Sequence, residues 1–241
     1  MNYLIVFALI SFLILIHELG HLIAAKLLNI PVERFSIGFG PKLWAFGKGQ
    51  TEYRLSAFPI GGYVLPMIEN EDEFFLIPPR RRIAFALGGP LANVVLSLIC
   101  LSCLNAATSG FSLYGLLVYP FVQMIEISSQ VLHALPQMFS HPEQLSGIVG
   151  IVAVGGQILT ADFTKVFVLA AMLNINLALL NLLPVLPLDG GKILFCVLEG
   201  VHRSLAKLRM PLTVTGWLLL LGLIFSITVM DVYKLAFTIQ A

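Results

Sequence analysis

Charge is what this chain has least of. Only 11% of its 241 residues are Asp, Glu, Lys or Arg, against roughly 25% in an ordinary soluble domain. The net charge of +1 gives no basic field with which to hold nucleic acid. Cysteine is scarce too: Cys100, Cys103 and Cys196 are all there is. Cys100 and Cys103 fall one turn apart in a hydrophobic stretch, where they read as small packing residues. A zinc or redox pair would need a polar, wet setting and further ligands. Five histidines are too few for a membrane di-iron centre. No basic stretch precedes the first apolar run, so a cleavable signal peptide is not expected.

What the chain has instead is long apolar runs. Hydrophobic residues make up 58% of it and the mean hydropathy is +0.93. Crossing a bilayer as a helix takes about 20 apolar residues. Segments 2–28, 83–104, 166–188 and 213–229 meet that length. Segment 111–139 is apolar but contains Pro120, Glu126, His133 and Pro136, and reads as a helix at or partly in the interface. Segment 147–159 is too short to span, and reads as re-entrant or as a loop. The expected fold is an all-α polytopic membrane protein with about four core helices, folded as one domain over 1–241.

Basic residues set the orientation. Arg34, Lys42, Lys48, Arg54 and Arg80–Arg82 lie between the first two spans, and Lys192, Arg203, Lys207 and Arg209 follow the third. Only Lys165 lies between the second and third. Both basic loops are therefore expected in the cytoplasm and the N-terminus outside. The two ambiguous segments either both cross or both do not, since a single extra crossing would separate the basic loops.

Within the first span stands His17-Glu18-Leu19-Gly20-His21, the HExxH pattern. Histidines four apart share a helix face and can share a metal, and the glutamate beside them can act as general base. Ionisable side chains at membrane depth are costly and mark function. His17 lies about 24 Å along a helix rising 1.5 Å per residue, in the cytoplasmic third of the bilayer. A zinc-protease motif at that depth points to proteolysis inside the membrane.

A catalytic zinc takes three protein ligands and keeps a fourth position open. His133 and His141 are expected outside, and His202 in a basic loop. Asp189 ends the third span and reaches the same depth as His17 and His21. Pro184, Pro187, Gly190 and Gly191 around it should break the helix. Taken alone, Asp189 is equally well a helix cap; the HELGH motif at matching depth favours a ligand. Glu199 and Asp231 sit near predicted helix ends and are expected to face water. Glu69, Glu71, Asp72 and Glu73 read as a solvated acidic loop.

Across nearly its whole length the chain resembles the site-2 intramembrane zinc metalloproteases, most closely the RseP-like bacterial branch. The resemblance rests on HELGH at 17–21, Phe35-Ser36-Ile37-Gly38-Phe39-Gly40-Pro41, Thr51-Glu52-Tyr53-Arg54 leading to Pro59-Ile60-Gly61-Gly62-Tyr63-Val64, Gly89-Pro90-Leu91-Ala92-Asn93, Leu145-Ser146-Gly147, and the stretch from Asn181 to Gly191. It implies that His17, His21 and Asp189 bind Zn2+, that Glu18 is catalytic and that Asn181 holds substrate. It also implies a bacterial inner-membrane location, with the active site towards the cytoplasm. The substrate would be a membrane protein carrying a transmembrane segment. Two departures stand out. No polar PDZ-sized domain lies between residues 105 and 165, and Gly147 is followed by Ile148 where the family has proline.

Residues 49–66 alternate polar and apolar, which suits a strand, and Gly61-Gly62 suits a tight turn. By resemblance this is a re-entrant β-hairpin on the cytoplasmic side. Its edge would pair with an unwound substrate as an added strand, making Gly61 and Gly62 substrate-contacting positions. Two rival readings are a metal transporter and a catalytically silent scaffold. The first calls for polar residues along several helices, the second for loss of Glu18 or of a ligand. The chain has one compact cluster, and it is complete.

Overall fold

The computed structural model describes residues 2–67, 76–140, 145–159, 164–201 and 208–238. His141, His202, Arg203, Lys207 and the acidic run at 69–73 lie outside them. The helices are α1 (Asn2–Leu27), α2 (Pro79–Ser109), α3 (Leu113–Leu117), α4 (Tyr119–Ser140), α5 (Ile148–Ile158), α6 (Thr164–Asn181), α7 (Asp189–Val201) and α8 (Arg209–Thr238). Strands β1 (Val32–Lys48) and β2 (Thr51–Pro66) lie between α1 and α2. Helices α1, α2, α6 and α8 are long and apolar enough to cross a membrane, at the four places the runs of hydropathy indicate. Helix α4 is interrupted in composition by Glu126, His133 and Pro136. Segment 148–158 is a short apolar helix, not a loop.

The described chain divides into two compact units. One comprises 1–9, 97–176 and 213–241. Here Asn105 donates from Nδ2 to the Gly115 carbonyl and to Gln123 Oε1, both at 2.9 Å. Ser102 donates to the Leu116 carbonyl at 2.7 Å. These bonds tie α3 and α4 back to α2. Asp231 on α8 is buried, contrary to its expected place in water. Its Oδ2 accepts from the backbone N–H groups of Gly147 (2.8 Å) and Gly150 (2.9 Å). A carboxylate placed there satisfies orphan amides and suits the positive end of the helix dipole, and so starts α5.

The other unit comprises 10–96 and 177–212. Its apolar core is built from Leu22, Ala25, Ile30, Val32 and Phe35, which join the end of α1 to β1. Helices α1 and α2 meet at Gly20 and Gly88: a Cβ on Gly88 would stand 2.6 Å from the Gly20 carbonyl oxygen. Strands β1 and β2 pair antiparallel, with the chain reversing at Gly49-Gln50. Gly61 and Gly62 do not form a turn. They lie within β2, where Gly61 takes φ +120°, a value open to glycine. Residues 34–37 pair with 62–65 and also lie alongside 52–55, so 32–37 is the inner segment of the sheet. Arg34 donates to Glu52 at 2.7 Å, and that bond holds the Glu52 carboxyl below its usual value. Among the described residues, 62–66 have strand partners only at 32–37, so one flank is an edge.

Helix α6 ends at Asn181, earlier than the apolar run that continues to Leu188. Residues 182–188 are irregular and include a cis Leu186–Pro187 bond. This segment packs against Gly191, where a Cβ would meet the Val185 carbonyl oxygen at 2.5 Å. Asp189 therefore opens α7 instead of closing the third span.

Candidate metal centre

His17 and His21 project from one face of α1, with Nε2 atoms 3.2 Å apart. Asp189 meets them from the start of α7: its Oδ2 is 3.1 Å from His17 Nε2 and 3.1 Å from His21 Nε2. All three residues are buried. Sequence reasoning named these three, and the fold brings them together across 172 residues.

His21 Nδ1 donates to the Phe85 carbonyl at 2.9 Å. A carbonyl only accepts, so Nδ1 carries the proton and Nε2 presents a lone pair. The Gly89 N–H approach to the same nitrogen at 3.3 Å is then a contact and not a bond. His17 Nδ1 lies 3.0 Å from the Asn93 side-chain Nδ2. Amide nitrogen and oxygen exchange on a half-turn. With His17 Nε2 free to ligate, Nδ1 holds the proton and the amide oxygen faces it. Such outer partners fix the tautomer of ligating histidines.

Three acceptor atoms thus converge at 3.1–3.2 Å. Lone pairs so close repel unless a cation lies between them. Two ligand atoms about 2.1 Å from zinc at a tetrahedral angle are separated by about 3.4 Å. The His2Asp donor set and its spacing fit Zn2+.

Lys192 and Phe85 are given no role at this centre by the sequence, and Gly89 and Asn93 stand in it only as part of a family motif. Lys192 Nζ donates to Asp189 Oδ1 at 2.8 Å. Phe85 and Asn93 hold the imidazoles. Gly89 brings the α2 backbone against the two histidines: a Cβ there would stand 2.5 Å from His21 Nε2 and 2.6 Å from His17 Nε2. The glycine-rich Gly88-Gly89-Pro90 run in an apolar helix was the available signal.

Glu18 is half-buried beside the two histidines. Gly62 abuts it, with a Cβ position 3.0 Å from Glu18 Cγ, so the free edge of β2 passes the acid. Gly61 instead lies against the Phe39 ring. Asn181 donates from Nδ2 to the Leu177 carbonyl at 3.0 Å, and no described hydrogen bond links it to the triad. Glu199 is buried and bonded to Arg82 at 2.7 Å, not solvated as its sequence position implies.

The model of peptidase family M50 matches residues 5–225. A Campylobacter jejuni protein carrying a zinc-metalloprotease name is 24% identical, over 94% of this chain and 92% of its own length. That alignment runs to 337 positions, more than this chain has residues, so the relative carries sequence without a counterpart here. Zinc-metalloprotease names also belong to a Clostridium perfringens protein, 47% identical over 45% of this chain, and a Chlamydia trachomatis protein, 39% identical over 54%. The matched stretches span 34% and 24% of those two proteins. With four apolar helices of spanning length and a His2Asp centre, the chain belongs to peptidase family M50, the site-2 zinc metalloproteases.

Proposed function

We propose that this protein hydrolyses peptide bonds within or beside the transmembrane segments of membrane protein substrates. The observation that carries the reading is the convergence of His17, His21 and Asp189 on one point with Glu18 beside it. His17, His21 and Asp189 are the ligands, and Glu18 is the base. Bound Zn2+ would supply Lewis acidity to the scissile carbonyl and acidity to a coordinated water. Glu18 takes a proton from the attacking water and returns it to the leaving amine. Phe85 and Asn93 keep both imidazole lone pairs turned inward. The edge at 62–66 receives the substrate as an added strand, with Gly62 leaving room beside Glu18. A helical peptide bond is shielded by its own hydrogen bonds, so pairing in an extended form is what opens it to attack. Asn181 and Gly61 are assigned substrate contacts on the family resemblance.

The proposed setting is a bacterial inner membrane, N-terminus outside and the centre facing the cytoplasm. The charge bias of the loops supports it. A transporter reading is less well supported, because the described residues contain one convergent cluster and not a path of them.

The test is a model transmembrane substrate incubated with purified protein. Glu18→Gln keeps its zinc and loses cleavage, whereas Asp189→Ala loses both. Unaltered cleavage by Glu18→Gln would overturn the assignment.

A further inference from the structure

Arg82, Glu199 and Cys196 have no part in the chemistry above, yet they surround a cavity of about 220 Å3. Its wall is shared with the metal centre, since it includes Phe85, which holds His21, and Lys192, which holds Asp189. Another part of the wall is Val64 on the edge of β2, two residues beyond Gly62. At about 3.3 Å per residue along a strand, that is one or two residues from a bond poised over Glu18.

The rest of the lining is largely apolar, from Val64, Phe85, Phe195 and Cys196. Glu199 is 8% exposed and bonds Arg82 through Oε2. Its other oxygen, Oε1, is buried with no hydrogen-bond partner among the described residues. A buried acceptor left unpaired is costly, so a ligand that donates to it is favoured. Arg82 already neutralises Glu199, and Lys192 adds a second positive charge, so a cationic donor is disfavoured. A dry cavity of roughly 150 Å3 holds a benzene ring, and this one is larger.

We infer that this cavity is the pocket for one substrate side chain next to the cut, and that it selects a long uncharged side chain ending in an O–H or N–H donor, as in tyrosine or glutamine. The assignment rests on the peptidase reading. An extended substrate on the β2 edge delivers its side chain to Val64, and the donor reaches Glu199 Oε1.

The test uses zinc-loaded full-length protein and synthetic transmembrane peptides that differ at one position. Ala, Leu, Tyr, Gln and Lys are placed in turn at each of the two residues on either side of the cut, which is mapped by mass spectrometry. At one position the wild type should prefer Tyr or Gln over Ala and Lys by at least tenfold in kcat/KM. Cys196→Phe and Ala86→Leu fill the cavity and should reduce that ratio to about twofold with zinc content unchanged. Flat preferences at every position overturn the pocket. So does an unchanged preference in a zinc-replete filled variant, or a loss that falls on all peptides alike. If both variants lose zinc, the wild-type panel decides alone. Cleavage of no peptide by the wild type overturns the peptidase reading, and the pocket with it, whereas cleavage with flat preferences overturns the pocket only.

Discussion

Lys192 Nζ donates to Asp189 Oδ1 from one turn further along α7, which leaves Oδ2 alone to face His17 and His21. As a metal ligand Asp189 would then offer a single oxygen, with its charge balanced by the lysine. Lys192→Met should weaken zinc binding roughly tenfold or more, in the range for outer partners of metal ligands. Lys192→Arg should restore most of it. Competition titration against a chelator measures both.

Gly89 is where the backbone of α2 comes against His17 and His21. The methyl of Gly89→Ala would stand 2.5 Å from His21 Nε2, on ground a metal needs. Metal content should fall to near background, while helicity by circular dichroism stays at the wild-type level. Full zinc occupancy in the variant would mean that α2 yields easily at this point.

Asp231→Ala removes the acceptor for two part-buried amides at the start of α5. Each hydrogen bond to a charged group is worth about 1.5–3 kcal/mol. Thermal unfolding in detergent should shift down by several degrees, with zinc content retained. A shift in zinc content instead would tie Asp231 to the centre.

The proposed orientation can be checked by thiol labelling in a cysteine-free background. Lys48→Cys and Lys207→Cys should react from the cytoplasmic side only, and His141→Cys from outside only. If Lys48→Cys and Lys207→Cys label from opposite faces, the proposed topology is wrong. Labelling of His141→Cys from inside would mean that α4 and α5 both cross.

The triad was legible because its signals are local. HELGH needs only the helical period, and Asp189 is marked by the prolines and glycines around it. The end of α6 was not legible from hydropathy, because Leu182, Leu183, Val185, Leu186 and Leu188 stay apolar after the helix has stopped. Glu199 and Asp231 were misread for a different reason. Each lies near a helix end, but their partners are 117 and 84 residues away in sequence, and no local pattern reports a distant partner. Strand β1 escaped notice because Gly38, Gly40 and Pro41 interrupt its alternation. The paired glycines of β2 mimicked a turn because glycine serves close approach as well as reversal.

His17 and Asp189 are joined at one point from opposite ends of the unit's sequence, 172 residues apart. A metal held there would also clasp a very long loop, closing it much as a disulfide would. On that footing metal supply should set how long the protein survives as well as whether it works. Chelated protein should lose the seam between α1 and α7 first, and a cell short of zinc would lose the enzyme to turnover along with its activity.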